Sequence, residues 1–273
     1  MDLSNENILH IKKDGIEYLQ FKILLNYPEI KQAYVIELDK NFKIYSNPNK
    51  EEELKNNDSK NNYKKICKEL NLDYNHIVNT MQNHTDNIKI INGKINKDKP
   101  DFNMYENTDG LITNKKDIVL STINADCILL IFYDPTKKVI ANIHSGWRGT
   151  LKRIAEKTVN KMKEEYGCKP EDIICCMSPS IGKDHFEVGE DVYNVFFEEF
   201  KNLPHIENIF EQKNDKWHID TILINREVLK MQGLKEKNII HSGICSVCSQ
   251  NLIHSYRAHG ENAGRATQII AIV

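Results

Sequence analysis

Residues 124–150, NADCILLIFYDPTKKVIANIHSGWRGT, decide the fold. Two apolar, strand-like runs, 128–133 and 139–143, flank an Asp-Pro turn, and this pattern predicts an antiparallel strand pair. Cys127 and His144 lie at the strand ends far from the turn, so the pair would bring them close together. A thiolate beside an imidazole can hold a metal ion, or it can form a nucleophile–base pair.

The residues after His144 favour a functional site over simple core packing. A lone cysteine is commonly a small buried hydrophobe, and a lone histidine can be a hydrogen-bonded core residue. Here two glycines surround Trp147 and Arg148 at a strand-to-helix junction, where backbone and guanidinium can approach an anion. Arg148 could equally form a surface ion pair or stack on Trp147. An amphipathic helix is predicted from about Thr150 to a stop at Gly167.

Composition excludes several classes of protein. The 273 residues are 40% hydrophobic, which is enough for a sizeable core. Lys and Arg number 37 and Asp and Glu 39, so the net charge of −2 indicates neither a nucleic-acid partner nor a membrane partner. The first residues lack the basic and apolar regions of a signal peptide. The seven cysteines are therefore expected to be free thiols of a cytoplasmic protein.

The pattern of elements predicts an α+β fold. About ten strand-like segments and four or five helical ones follow one another without regular alternation, which is typical of mixed β-sheets flanked by helices. We expect a single compact domain over 1–273. The polar segments 46–62 and 92–108 are predicted to be loops, the first with room for a helical piece. A strand is predicted at 238–244 and another at 252–256.

The later motifs have weaker chemical implications. Ser180 and Gly182 belong to a turn-rich segment that lets backbone approach a ligand, so they are predicted to line a pocket. Glu187 either bonds a ligand or caps the following helix. Cys245 and Cys248 form a lone Cys-x-x-Cys, with neither a second pair for a zinc site nor a thioredoxin-like context for a redox site. No function is predicted for them from spacing.

Several motifs together resemble one known family. ADC, HSGWRGT, SPSIGKDHFEVGEDV, the Cys-x-x-Cys, SYR and a Gly-Arg follow one another between about residues 75 and 273. They resemble the laccase-like multicopper polyphenol oxidoreductases, also called peptidoglycan editing factors. The resemblance implies a mixed-sheet fold shared with the catalytic domain of cytotoxic necrotizing factor toxins. The family's Arg-Gly-Gly segment is missing, so residues 1–74 diverge from it.

The resemblance also implies a site. His84, within Gln-Asn-His, would join Cys127 and His144 as ligands of zinc, with copper as the alternative metal. His76 is an alternative to His84 by residue type only. Three protein ligands leave a fourth position open, as in catalytic centres. The predicted substrate contacts are Arg148, Ser180, Gly182, Glu187 and Arg257.

The implied activity is phosphorolysis of purine nucleosides with adenosine deamination as a side reaction. Adenosine, inosine and S-methyl-5′-thioadenosine are the expected nucleosides, phosphate is the co-substrate, and the expected state is a monomer or homodimer. Three alternatives stay open at this point. They are a metal-independent cysteine hydrolase or deamidase using Cys127 and His144, a weak copper-dependent polyphenol oxidase, and a non-enzymatic binding partner. The absence of His-x-His pairs disfavours the oxidase.

Overall fold

A computed structural model describes residues 1–45, 49–93, 95 and 104–273. The strands are β1 (Ile8–Lys13), β2 (Ile16–Phe21), β3 (Ile30–Val35), β4 (Ile77–Met81), β5 (Ile88–Ile90), β6 (Met104–Glu106), β7 (Gly110–Thr113), β8 (Val119–Asn124), β9 (Ile128–Asp134), β10 (Val139–Ser145), β11 (Ile174–Met177), β12 (Glu187–Val188), β13 (Phe210–Lys213), β14 (Lys216–Ile219), β15 (Ile239–His241) and β16 (Ala266–Ile272). The helices are α1 (Lys50–Glu69), α2 (Trp147–Leu151), α3 (Ile154–Tyr166), α4 (Glu190–Phe200), α5 (Ile206–Ile209), α6 (Thr221–Met231) and α7 (Tyr256–His259).

The strands form three sheets. The seven-stranded sheet has the order β1-β2-β3-β16-β8-β4-β6, the six-stranded sheet has the order β15-β11-β9-β10-β7-β5, and β12-β14-β13 form a small third sheet. In the first sheet β4 pairs in parallel with β6 and β8, and in the second β5 pairs in parallel with β7. The pairs β1–β2, β3–β16 and β9–β10 are antiparallel. The predicted α+β class with mixed sheets is therefore confirmed.

The two large sheets pack face to face and are covered by helices on their outer faces. Leu19, Tyr34 and Leu120 of the seven-stranded sheet share one buried cluster with Leu129 and Ile131 of β9. The alternate residues of β9 point the other way and pack with α3 and α6. Helix α1 covers the outer face of the seven-stranded sheet. Because β9 is buried on both faces, its sequence is a continuous apolar run instead of an alternating one.

The strand pair predicted from residues 124–150 is confirmed. Strands β9 and β10 pair in antiparallel register from Val139 opposite Asp134 to Ser145 opposite Ile128. This register places Cys127, just before β9, beside the end of β10 that carries His144. The single-domain organisation remains a prediction. Among the described residues, no helix is both long and apolar enough to cross a membrane.

The loop predicted at 46–62 is largely wrong, because most of it belongs to helix α1. Residues 46–48 lie outside the described part. The last part of this helix is predicted by the helical spacing of Tyr63, Ile66, Cys67 and Leu70, and α1 confirms it. Its earlier turns were missed because their buried face includes polar side chains. Asn56 and Ser59 are buried and bond to the backbone of residues 43–45, so polar groups do the packing that apolar ones usually do. Asn49 starts the helix with a capping box to Glu52.

Two other boundaries differ from the predictions. The helix expected from about Thr150 begins earlier, at Trp147, and is interrupted at Arg153, whose φ of 58° is left-handed. Its predicted stop at Gly167 is confirmed, with φ of 64°. The strand predicted at 252–256 is wrong, because Ser255 accepts a hydrogen bond from the Ala258 amide and starts α7.

The other two predicted segments are confirmed only in part. The predicted strand 238–244 is limited to β15, Ile239–His241. The predicted loop 92–108 contains the short strand β6, Met104–Glu106, which pairs in parallel with β4. Residues 94 and 96–103 of that segment lie outside the described residues.

Candidate metal centre and active site

The structure brings His84, Cys127 and His144 together. Their ligand atoms all lie within 4.8 Å of one another. The His84 Nε2 atom is 3.8 Å from the Cys127 Sγ atom, and the two imidazole rings meet edge to face with centroids 5.0 Å apart. His144 is buried, whereas Cys127 and His84 are partly exposed. The three predicted ligands therefore form a cluster that is open on one side.

Asp109 is the residue that holds this cluster in place. Its fully buried carboxylate accepts a hydrogen bond of 2.8 Å from His144 Nδ1. The same carboxylate accepts from the backbone amides of His84 and Thr85, at 3.1 and 2.8 Å, and from the Thr85 hydroxyl at 2.6 Å. A carboxylate can only accept, so Nδ1 of His144 carries the proton and Nε2 is left to bind a metal.

Asp109 was not singled out from the sequence. The signal becomes visible once the strand order is known. Asp109 directly precedes β7, and β7 pairs with β10, so Gly110 lies opposite Ile143. The Asp109 carboxylate therefore lies at the start of a buried strand that is adjacent to the strand carrying His144. Carboxylates in such positions commonly accept a hydrogen bond from a metal-binding histidine.

His84 approaches the centre from a strained turn. It lies just after β4 and has a φ of 57°, a left-handed value that residues with a Cβ adopt uncommonly. The hydrogen bond from its amide to Asp109 helps to hold this conformation. The alternative ligand His76 instead bonds the carbonyl of Asp117 through Nδ1, at 2.9 Å, and is not part of the cluster.

Gly146 makes room for the centre. A Cβ atom at this position would lie 2.6 Å from Cδ2 of His84, 3.1 Å from Cε1 of His144 and 3.3 Å from Sγ of Cys127. The backbone φ of −66° is ordinary, so the need for glycine is one of space and not of conformation. This explains the first glycine of the GWRG motif.

We expect Gly146→Ala to reduce catalytic activity by about 10²-fold, because displacing reacting groups by about 1 Å can have an effect of this size. The bound metal content should also fall, since His84 has to move away. The thermal unfolding midpoint serves as the control, because a general loss of folding would lower it together with activity. Full activity and full metal content in this variant would contradict the close contact with His84.

Electrostatics favour a thiolate at Cys127. In the protein without a bound metal, burial opposes the thiolate, but the charge and hydrogen bond of His144 outweigh it and lower the pKa of Cys127 below its usual value. Burial likewise opposes the His144 cation, yet Cys127 and Asp109 raise the pKa of that imidazole. One thiolate and two imidazoles form a donor set that suits both zinc and copper.

The lowered pKa of Cys127 predicts that its alkylation in metal-stripped protein begins at a lower pH than alkylation of the buried thiols. A thiol is reactive as its thiolate, and Cys127 should be a thiolate at pH values below the usual cysteine range. Burial raises the pKa of Cys67 and of Cys168, so these thiols should not react at neutral pH. Peptide mapping after iodoacetamide treatment across pH 5 to 9 measures this. A midpoint for Cys127 at or above the ordinary thiol value would contradict the prediction.

The cluster forms part of the wall of a cavity of about 530 Å³. Cavities of this size are typical of sites for small organic ligands. The lining includes the apolar side chains Phe42, Ile44, Met81, Ile123, Trp147 and Phe186. Three cationic residues, Lys43, Arg257 and Arg265, also line it. The cavity therefore offers apolar surface for a ring system and positive charge for an anion.

Arg257 is held in the wall by several hydrogen bonds. Its guanidinium donates to the carbonyls of His185 and Glu187, at 2.8 and 3.1 Å. Its amide donates to the Asp126 carboxylate at 2.6 Å, and this carboxylate also accepts from the Ser246 hydroxyl. Asp126, the residue next to Cys127, thus connects the cluster with the wall. Arg265 was not among the predicted site residues, although it belongs to the Gly-Arg motif.

The other predicted substrate contacts do not line the cavity. Arg148 is exposed and stacks on the Trp147 ring, with its guanidinium carbon 4.1 Å from the ring centroid. Ser180 is buried, and the amide of Gly182 donates to Cys245 Sγ at 3.4 Å. Glu187 is exposed and takes part through its carbonyl, which accepts from Arg257. As contacts to substrate, these four residues remain predictions.

The protein thus has a candidate metal centre with three ligands, Cys127, His84 and His144. A buried carboxylate supports this centre, which lies at the edge of a cavity between mixed sheets. The chain belongs to the multi-copper polyphenol oxidoreductase laccase family, whose model matches residues 45–273.

Named relatives of the chain are enzymes of purine nucleosides. A purine nucleoside phosphorylase of Bacteroides thetaiotaomicron is 34% identical over 62% of this chain and 62% of that protein's length. Adenosine deaminase RL5, from an unknown prokaryotic organism, is 32% identical over 73% of this chain and 76% of its own. The match thus spans less than two thirds of the Bacteroides relative.

Solved structures share the fold. The hypothetical protein YfiH of Bacillus licheniformis superposes with a TM-score of 0.81 at 23% identity, covering 94% of this chain and 96% of that one. YlmD of Geobacillus stearothermophilus also gives a TM-score of 0.81, at 20% identity, covering 96% and 98%. The expected likeness to the necrotizing factor toxins remains a prediction.

Proposed function

We propose that the chain is a metal-dependent purine nucleoside phosphorylase that acts on adenosine, inosine and S-methyl-5′-thioadenosine, with adenosine deamination as a side activity. One observation carries the proposal. The Cys127 thiol and the imidazoles of His84 and His144 converge on a cavity whose wall also holds the guanidinium of Arg257. The activities for which the two relatives are named support the same reaction class.

Phosphorolysis breaks the bond between the purine and C1′ of the ribose and joins C1′ to a phosphate oxygen. Its transition state resembles an oxocarbenium ion, so the rate depends on holding phosphate close to C1′ and on stabilising the leaving purine. Arg257 and Arg265, with Lys43 on the same wall, supply the positive charge that phosphate requires.

The purine needs a flat apolar surface and a proton donor. Trp147 and Phe186 line the cavity and can pack against the ring. The imidazoles of His84 and His144 lie at the same wall, and the Asp109 hydrogen bond fixes the orientation of His144. When bound, a metal ion at His84, Cys127 and His144 would supply Lewis acidity and lower the pKa of a coordinated water to about 7.

Deamination uses the same cavity in a different way. It exchanges the amino group at C6 of adenosine for oxygen from water and releases ammonia. The C6 edge of the purine, and not C1′, then has to face Cys127 and the two imidazoles. We therefore expect the two activities to respond differently to changes on the guanidinium wall.

Arg257→Gln tests the phosphate assignment. We expect the KM for phosphate to rise by about tenfold, since a charge-assisted hydrogen bond contributes about 1.5 kcal/mol or more and 1.4 kcal/mol corresponds to a factor of ten. The KM for adenosine should change little, and phosphate-independent deamination should persist. Initial rates of adenine release over a phosphate series measure the effect.

Arg148→Gln is the matched comparison, because Arg148 carries the same charge but stacks on Trp147 outside the cavity lining. A larger rise in the phosphate KM for Arg148→Gln than for Arg257→Gln would contradict the assignment. It would instead support the role that the GWRG motif predicts for Arg148.

A second candidate function is a metal-independent cysteine hydrolase or deamidase. Asp109 bonds His144, and His144 lies beside Cys127 and lowers the pKa of its thiol. This is the arrangement that activates a cysteine nucleophile. Such an enzyme would keep its activity after chelation and lose it on alkylation. The phosphorylase should lose activity on chelation and recover it when zinc or copper is restored.

A further inference from the structure

A second cluster of potential ligands lies outside the cavity lining. The ligand atoms of His185, Cys245 and Cys248 are all within 4.8 Å of one another. The His185 Nε2 atom is 3.3 Å from Cys248 Sγ. Both cysteines are free thiols, with Cys248 exposed and Cys245 partly buried. The lone Cys-x-x-Cys therefore gains a histidine as a third member from a distant part of the chain.

The chemistry of this cluster is that of a zinc site. Zinc favours cysteine sulfur and histidine nitrogen, and a Cys-x-x-Cys loop supplies two thiolates from one turn. The amide of Gly182 donates to Cys245 Sγ at 3.4 Å, which is the kind of hydrogen bond that supports a metal-bound thiolate. The cluster therefore combines two thiols and an imidazole from separate segments, and a backbone amide donates to one of the sulfur atoms. It has more potential ligands than a single surface cysteine would offer.

We propose that His185, Cys245 and Cys248 bind a second metal ion, zinc, independently of the centre at Cys127. The three protein ligands leave one position for water on the exposed side of Cys248. The site gives a role to the Cys-x-x-Cys, for which the sequence alone predicted none. The further ligand that the Cys-x-x-Cys needs is a histidine in another segment, and not a second Cys-x-x-Cys.

The position of this site gives it a structural consequence for the cavity. Ser246, between the two cysteines, donates to Asp126, the neighbour of Cys127. The carbonyl of His185 accepts from the Arg257 guanidinium. A metal ion here would fasten the segment of His185 to the loop of Cys245 and Cys248. It would thereby hold the wall that carries Arg257, which makes the three ligands positioning residues.

Metal analysis of the full chain purified with zinc tests the proposal. We expect two zinc ions per chain in the unaltered protein. The double variant Cys245→Ser/Cys248→Ser should bind one, and Cys127→Ser should also bind one. Cys168→Ala, which removes a buried thiol outside both clusters, should still bind two. Because no substrate is involved, the result is independent of the proposed phosphorylase activity.

Two further measurements keep the test decisive. His185→Gln alters a partly exposed side chain, so it guards against a double variant that fails to fold, and it should weaken binding of one of the two ions. Cobalt substitution should give thiolate-to-metal charge-transfer absorption that remains in Cys127→Ser and falls sharply in Cys245→Ser/Cys248→Ser. The proposal would be overturned if the unaltered protein bound a single ion that Cys127→Ser removes. It would also be overturned if the double variant still bound two ions, or if Cys245 and Cys248 formed a disulfide in place of binding metal.

Discussion

Replacing Cys127 with serine is expected to lower adenosine phosphorolysis by at least about 10³-fold. A metal acting as a Lewis acid contributes several kcal/mol to transition-state stabilisation, and each 1.4 kcal/mol corresponds to a factor of ten in rate. Cys127 supplies the sulfur atom of the proposed centre, and its Sγ lies close to both imidazoles. Serine keeps the size but is a far weaker ligand, so the metal should be lost as well.

The measurement pairs steady-state rates with the metal content of the same samples. Cys168→Ala is the control, because this buried thiol belongs to neither cluster of potential ligands. A Cys127→Ser enzyme that retains a tenth or more of the rate would contradict a role for the thiolate in the reaction. A variant that keeps its metal but loses activity would favour the cysteine nucleophile of the second candidate function.

Asp109→Asn is expected to weaken metal binding by about 10- to 100-fold, the usual effect of removing the partner of a metal-binding histidine. It should also lower the free energy of unfolding by about 3 kcal/mol, because it breaks a buried charged network. The carboxylate accepts from His144, His84 and Thr85, and an amide cannot satisfy all these donors with its single oxygen. Zinc titration and urea unfolding measure the two effects.

The pH dependence of stability provides an independent test of Asp109. Burial acts to raise its pKa, but hydrogen bonds from His144 and Thr85 outweigh this and lower it below the ordinary carboxyl value. Its contribution to stability is therefore fully present above that ordinary value and is lost as the pH falls through the lower pKa of the folded state. Asp109→Asn should lack this part of the acid dependence.

Asp86→Asn is the matched control for Asp109→Asn. Asp86 directly follows Thr85, which donates to Asp109, but Asp86 is partly exposed and forms ion pairs with Lys152 and Lys157. Partly exposed pairs of this kind contribute about 0–1 kcal/mol. Equal losses of stability and metal affinity in the two variants would show that Asp109 has no special role in holding the centre.

The sequence predicts the centre of the fold well, because local pattern and burial agree there. The apolar runs on either side of the Asp-Pro turn form two adjacent strands inside the sheet, where both faces of each strand are buried. The pairing of these strands places Cys127 beside the end of β10. Once these strands are paired, the approach of His144 to Cys127 follows from the register. The third proposed ligand, His84, came from the family resemblance and not from spacing.

Three features could not be predicted from local sequence patterns. The first turns of helix α1 pack polar side chains such as Asn56 against backbone groups, so their sequence looks like a surface loop. Asp109 becomes important only when β7 pairs with β10. His185 approaches Cys248 only after the segments carrying them have packed together. The partners of Asp109 and His185 are far away in the sequence, and the partner of Asn56 is the backbone of Tyr45. None of these contacts leaves a local periodicity.

The most direct test of the proposed function is chromatography of the products formed from adenosine by the purified, metal-loaded protein, with and without phosphate. A purine nucleoside phosphorylase should form adenine and ribose 1-phosphate in equal amounts when phosphate is present, and should form inosine only slowly when phosphate is absent. The proposed function would be contradicted if inosine were the main product at the same rate in both conditions, or if adenosine were not turned over in either.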